Sequence, residues 1–211
     1  MGKINETTGA LSGLVGNVVL TSWRGVKVVR SAAKRSKKPR TANQLGHQAK
    51  IKLISKFVYC MKELLEQTFV NYAIKKTGTN AAFSYNFKNA VGGIFPDLNI
   101  LYDKVLVSRG DLTIADSAAA TVNGNGDLQF TWNDNTGTGQ ARAADLCICV
   151  VHCPAFNMTL FIKGPATRQS GSLVMEKAKQ FKGHNVETWM AFVSANGKET
   201  SDSVYTGTIN I

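Results

Sequence analysis

The residues best suited to chemistry stand together in the run Cys147-Ile148-Cys149-Val150-Val151-His152-Cys153. Three thiols and an imidazole at this spacing invite a tetrahedral zinc site. The apolar residues between them, however, predict a strand, and alternation along a strand sends Cys147, Cys149 and Val151 to one face and His152 to the other. The four converge only through a sharp bend, which Pro154 permits just after Cys153. The favoured reading is of small buried cysteines in a β core, with no metal and no cofactor assigned. A nucleophilic Cys/His pair needs a thiol beside an imidazole. His47, His152 and His184 fall in a predicted helix, strand and turn, with nothing to place a thiol against them. Asp111 with Asp116, and Asp134 with Asp145, are carboxylates that could meet, but acids near such turns more often make Asx-turns. The chain has no Walker loop, no G-x-G-x-x-G after a strand, no H-E-x-x-H and no G-x-S-x-G. No catalytic residue is assigned, and the expectation is a protein that is not an enzyme.

What is out of the ordinary is the charge. Between Arg24 and Lys62 lie 12 Lys/Arg and no Asp or Glu, the flanking acids being Glu6 and Glu63. Residues 1–91 hold 16 Lys/Arg against 3 Asp/Glu and residues 92–211 hold 9 against 11, so a net +13 precedes a net −2. Like charge at this density repels itself unless something negative meets it. Phosphates are one such partner, because the interspersed Ser, Thr, Asn and Gln add donors for salt-dependent, sequence-independent contact. A β-ribbon also fits a major groove, with Arg24 at its tip and Lys27 and Arg30 along one strand. An acidic protein surface is the other partner. The candidate contact residues for either are Arg24, Lys27, Arg30, Lys34, Arg35, Lys37, Lys38, Arg40, Lys52 and Lys56.

The elements that must position these cations follow from periodicity. Residues 1–14, polar and glycine-bearing, predict a flexible arm. From Val15 the chain alternates, and after Trp23-Arg24-Gly25 the run Val26-Lys27-Val28-Val29-Arg30 predicts the second strand of a hairpin. A lone hairpin is marginal in water, so Val18, Leu20, Trp23, Val26 and Val28 are candidates for strand addition to another subunit. A basic linker, Ser31 to Arg40, leads to Thr41 and Gln44, which fit a capping box. The helix it opens carries Leu45, Ala49, Leu53, Phe57, Met61, Leu64 and Phe69 along one amphipathic stripe. A shorter helix follows over residues 80–90, and Val91-Gly92-Gly93-Ile94-Phe95-Pro96 predicts a joint. Residues 15–91 thus read as one basic hairpin-and-helix module.

Beyond the joint the period becomes two. Short β-rich segments are separated by turn clusters such as Asn123-Gly124-Asn125-Gly126-Asp127 and Asn196-Gly197. Over residues 97–211 they predict a β-sandwich of the immunoglobulin or fibronectin type III class, with Trp132 and Trp189 in its core. The expected fold class is α+β: an N-terminal β-hairpin and two helices, then the sandwich. No apolar run reaches the ~18 residues that span a bilayer, and no export signal opens the chain. Four cysteines are too few and too clustered for a disulfide framework. The expected location is cytoplasmic or virion-associated.

Several stretches also resemble a known family. Leu11-Ser12-Gly13-Leu14-Val15-Gly16-Asn17-Val18-Val19, Trp23-Arg24-Gly25 with Val29-Arg30-Ser31, and Thr41-x-x-Gln44 look like the opening of a Bacteroidota family of about 200-residue proteins, classed as a domain of unknown function. Ser108-Arg109-Gly110-Asp111-Leu112, Phe130-Thr131-Trp132-Asn133-Asp134-Asn135 and Ser201-Asp202-Ser203-Val204-Tyr205-x-Gly207 resemble its later motifs. Gln48 and Ala33 depart from the pattern, standing where an arginine and a proline are usual. The resemblance implies a bacterial or bacteriophage source and brings no activity or cofactor. The sequence therefore points to a non-enzymatic structural or interaction protein, a homo-oligomer or a subunit of a larger phage or cell-surface assembly, docking through its basic hairpin and linker. The alternative is a nucleic-acid-binding protein using the same residues on phosphates.

Overall fold

A computed structural model describes residues 3–5, 10–23, 26–34 and 38–211 of the chain, which divides into two units, Met1–Thr41 and Ala42–Ile211. In the first, strands β1 (Lys3–Asn5), β2 (Ala10–Val15), β3 (Val18–Trp23) and β4 (Val26–Ser31) form an antiparallel sheet in that order. The predicted hairpin is its β3–β4 half. The other two strands come from the segment expected to be a flexible arm. Gly16, at φ +59, supplies the left-handed residue of a two-residue loop that closes on the Val15–Val18 pair.

The second unit opens with helices α1 (Ala42–Cys60), α2 (Lys62–Thr68) and α3 (Gly78–Asn89). The predicted long helix is thus divided at Met61, whose φ of −122° leaves the helical region. The predicted joint is itself a hairpin, β5 (Val91–Ile94) with β6 (Asp97–Ile100). Seven strands follow: β7 (Asp116–Val122), β8 (Leu128–Asn133), β9 (Leu146–Cys153), β10 (Met158–Thr167), β11 (Ser172–Met175), β12 (Asn185–Val193) and β13 (Val204–Asn210). They make a four-stranded sheet, β10-β9-β12-β13, and a three-stranded one, β11-β8-β7. The fold is therefore mixed and mostly β, in antiparallel sheets.

The central strands have two buried faces. Cys147, Cys149, Val151, Met190 and Phe192 join Leu128, Phe130 and Trp132 in one core. Ile148, Val150, Trp189 and Ala191, at the alternate positions, join Ile54, Phe57, Val58, Leu64 and Leu65 of the helices in another. The helices cover this sheet, because their apolar stripe meets the odd face of β12 and the even face of β9. A sheet covered on both sides needs near-continuous apolar strands, which is what Leu146–Cys153 supplies.

Local chemistry holds the helical layer together. Glu66 accepts from the backbone N–H of Gly78 (3.0 Å) and from the Thr79 hydroxyl (2.7 Å), placing a carboxylate on the N-terminus of α3. The hydroxyl bond of Thr79 is the main cause that holds the Glu66 carboxyl below its ordinary range. Thr77 caps the same helix by accepting from Asn80 N. Glu66→Ala is expected to cost about 1 kcal/mol in urea unfolding at neutral pH. Since the folded pKa is the lower one, that contribution is lost as the pH falls through it. A parent and variant that differ equally at neutral and acid pH would contradict the assignment.

Candidate interaction surface

The sheet of residues Met1–Thr41 has no core of its own among the described residues: none of the described side chains of residues 12–34 is buried. The β3–β4 register pairs Val19 with Arg30, Thr21 with Val28 and Ser22 with Lys27. Lys27 and Arg30, three residues apart on β4, therefore project to opposite faces. Leu14, Val19, Val26 and Val28 share the Arg30 face, and Val15, Val18, Leu20 and Val29 share the Lys27 face. Val29 is 67% exposed, Val26 52% and Val15 50%, so both faces present aliphatic surface. β4 is an edge strand. Because Ala32 N donates to Asn17 O (2.8 Å), alternation turns the backbone groups of Lys27, Val29 and Ser31 outward, away from β3.

The predicted contact residues fall in both units. Lys27, Arg30, Lys34, Lys38 and Arg40 are exposed in the first unit, and Lys52 and Lys56 are exposed on α1 in the second. Arg24, Arg35 and Lys37 lie outside the described residues, as does the Trp23 side chain. Of the predicted strand-addition residues, Val18, Val26 and Val28 are exposed and Leu20 is half-buried.

The sequence elements that suggested chemistry are occupied with structure. Cys147, Cys149 and Cys153 are buried free thiols on the inter-sheet face of β9. His152, on the other face, packs edge-on against Phe57 (5.0 Å between centroids) and meets the Thr159 hydroxyl through Nδ1 at 2.9 Å. Burial pushes its pKa down to about 4. Beside it on β12, Glu187 accepts from the hydroxyls of Tyr205 and Thr208. Cys60 reaches the carbonyls of Lys56 (3.0 Å) and Asn157 (2.9 Å), tying α1 to the β9–β10 turn. Asn123, Asp134 and Asn196 each accept the backbone N–H two residues on, as Asx-turns do.

The motifs that carry the family resemblance are stitches. Ser108 donates to Ser201 O (2.7 Å), Gly110 N to Asp202 Oδ1 (3.0 Å) and Val107 N to Ser203 Oγ (3.0 Å), joining the segment before β7 to the β12–β13 loop. Gly110 is required there, since a Cβ would fall 1.9 Å from Thr200 O. The Arg109 guanidinium lies over the rings of Tyr72 (4.1 Å) and Tyr85 (5.0 Å). Asn135, at the end of the tryptophan motif, accepts from Arg168 Nη1 at 2.6 Å, and Trp132 Nε1 donates to Arg168 O at 2.7 Å. Arg168 is the functional-looking residue that sequence reasoning missed. Nothing in its surroundings in the chain distinguishes it from a surface arginine.

Arg168 Nε is ion-paired with Asp145 Oδ2 at 3.1 Å, and a cleft of about 730 Å³ opens beside the pair, with Gln140, Arg142, Asp145, Asn196 and Glu199 among its lining. No helix is long and apolar enough to cross a membrane among the described residues. A model described as a family of unknown function (DUF6266) matches residues 10–207, and the chain belongs to that family. No curated protein and no solved structure matches it.

Proposed function

We propose that this member of the DUF6266 family is a non-enzymatic structural protein, a subunit of a homo-oligomer or larger assembly that docks through the N-terminal sheet and the basic linker after it. The observation that carries this reading is the four-stranded sheet that, among the described residues, exposes aliphatic side chains on both faces and leaves β4 at its edge. Such a sheet is marginal in water by itself, and a protein surface covers valines where a phosphate backbone cannot. The linker cations then meet acidic groups of the partner. Residues 1–41 carry 9 Lys/Arg against Glu6 alone.

The same reading takes the seven strands β7 to β13 as an immunoglobulin or fibronectin III-like sandwich. Its support is the strand order, in which hairpins β7–β8, β9–β10 and β12–β13 are split between two facing sheets. A virion or bacterial cell-surface structure is the kind of assembly in view, with the sandwich displayed and the basic segment docked. The alternative, phosphate contact by the same cations, draws on the acid-free stretch between Arg24 and Lys62. It is weakened by the opposed directions of Lys27 and Arg30.

Light scattering on the purified chain tests the proposal. A mass that is a multiple of 22.8 kDa is expected, reduced toward the monomer by Val29→Glu. A concentration-independent monomer, together with duplex DNA binding whose log affinity falls steeply with log salt, would replace this reading with the alternative.

A further inference from the structure

The outer side of the helical layer carries a second surface, independent of the assembly reading. Tyr59, 68% exposed near the end of α1, and Phe83, half-buried on α3, line a recess of about 200 Å³ with Ser55, Val58, Thr79 and Asn80. The Phe83 ring is held by stacking on Phe87, 5.6 Å away and 18° from parallel. The side chains of Ser55 and Asn80 make no hydrogen bond among the described residues. Lys52 and Lys56 stand seven and three positions before Tyr59 and Lys62 three after it, all exposed, and none is ion-paired among the described residues. Residues 42–90 hold 7 Lys/Arg against Glu63 and Glu66, and Glu66 is engaged on α3.

We infer that this recess takes one base of a single-stranded nucleic acid, stacked against Tyr59 and Phe83, with Lys52, Lys56 and Lys62 on the neighbouring phosphates. The recess is smaller than the about 300–1,000 Å³ of sites for drug-sized ligands, so it holds one ring system. Aromatic walls flanked by cations are how single strands are bound without sequence preference. The free hydroxyl of Ser55 and the amide of Asn80 offer donors and acceptors to a base edge. A base stacked within a duplex cannot enter, which selects the single strand. The sequence shows Tyr59 alone here. The packing of α3 on α1 brings Phe83 beside it.

Fluorescence anisotropy with the full chain tests this, using a labelled oligothymidylate and an abasic strand of the same length and charge. The parent is expected to bind the base-bearing strand about five-fold or more tightly than the abasic one. Tyr59→Ala is expected to bring the two to equal affinity while leaving the urea midpoint unchanged. Phe83 is left in place because it packs on the helical core. Lys52→Gln with Lys56→Gln is expected to weaken both strands and flatten the slope of log affinity against log salt by roughly 1 to 1.5. The abasic strand cancels whatever the N-terminal cations contribute. A parent that does not distinguish the strands, or binds neither at low salt, overturns the inference. So does a Tyr59→Ala variant that still discriminates. Binding without base preference that a polyglutamate peptide displaces would assign this face to an acidic protein instead.

Discussion

Arg168→Ala is expected to lose about 3–5 kcal/mol of folding free energy, the cost of stranding a buried charge. Its guanidinium is wholly buried, with Nε 3.1 Å from Asp145 Oδ2, Nη1 on Asn135 Oδ1, Nη2 2.9 Å from Thr113 O and the group 3.9 Å over the Phe192 ring. Removing it leaves the Asp145 carboxylate, 1% exposed, with the Arg142 N–H as its one remaining side-chain hydrogen bond among the described residues. Against a total of about 5–15 kcal/mol for a folded domain, that is a large fraction. Arg168→Lys should fall between parent and Ala, because a point charge cannot make the guanidinium's several directed bonds. Replacing both partners, Arg168→Met with Asp145→Leu, should cost less than Arg168→Ala alone, since no charge stays buried. Urea unfolding decides the matter, and a loss within about 1 kcal/mol for Arg168→Ala would mean that the pair holds little together.

The second large effect is the pH dependence that His152 contributes. His152 is 2% exposed between β9 and the helical layer, facing Phe57 and Tyr102, and burial pushes its pKa down to about 4. The unfolded chain therefore takes up a proton at this residue near pH 6.5, before the folded one does. Between those values the unfolded state binds more protons, so stability falls as the pH falls. The parent is expected to lose about 2 kcal/mol from this group between about pH 7.5 and about pH 5. His152→Phe should be less stable at the higher pH, having lost the Thr159 contact, yet its stability should change much less across the window. Parallel pH profiles for parent and variant would show that His152 is hydrated when the chain is folded.

Much of this was written locally in the chain. Alternation and turn residues predict strands over 128–132, 146–152, 172–175, 186–193 and 204–211, close to β8, β9, β11, β12 and β13, and the helical spacing predicts one helix where α1 and α2 stand. The run Ile100 to Ser108 reads as a strand but is not one, because Asn86 bonds to the backbone of Leu106 and Ser203 to that of Val107, replacing a ladder with side-chain stitches. The charge split was legible by counting, whereas the directions of Lys27 and Arg30 depend on register.

By itself the sequence determined most of the helical and extended segments of residues 42–211 and where the cations are concentrated, since both depend on neighbours a few residues apart. Tertiary structure alone decided that the helices cover the β10-β9-β12-β13 sheet, that Arg168 is buried on Asp145 and that Phe83 stands beside Tyr59. Each of those pairings joins positions more than 20 residues apart, and no local propensity or charge count carries information about which distant surface a given stripe will meet.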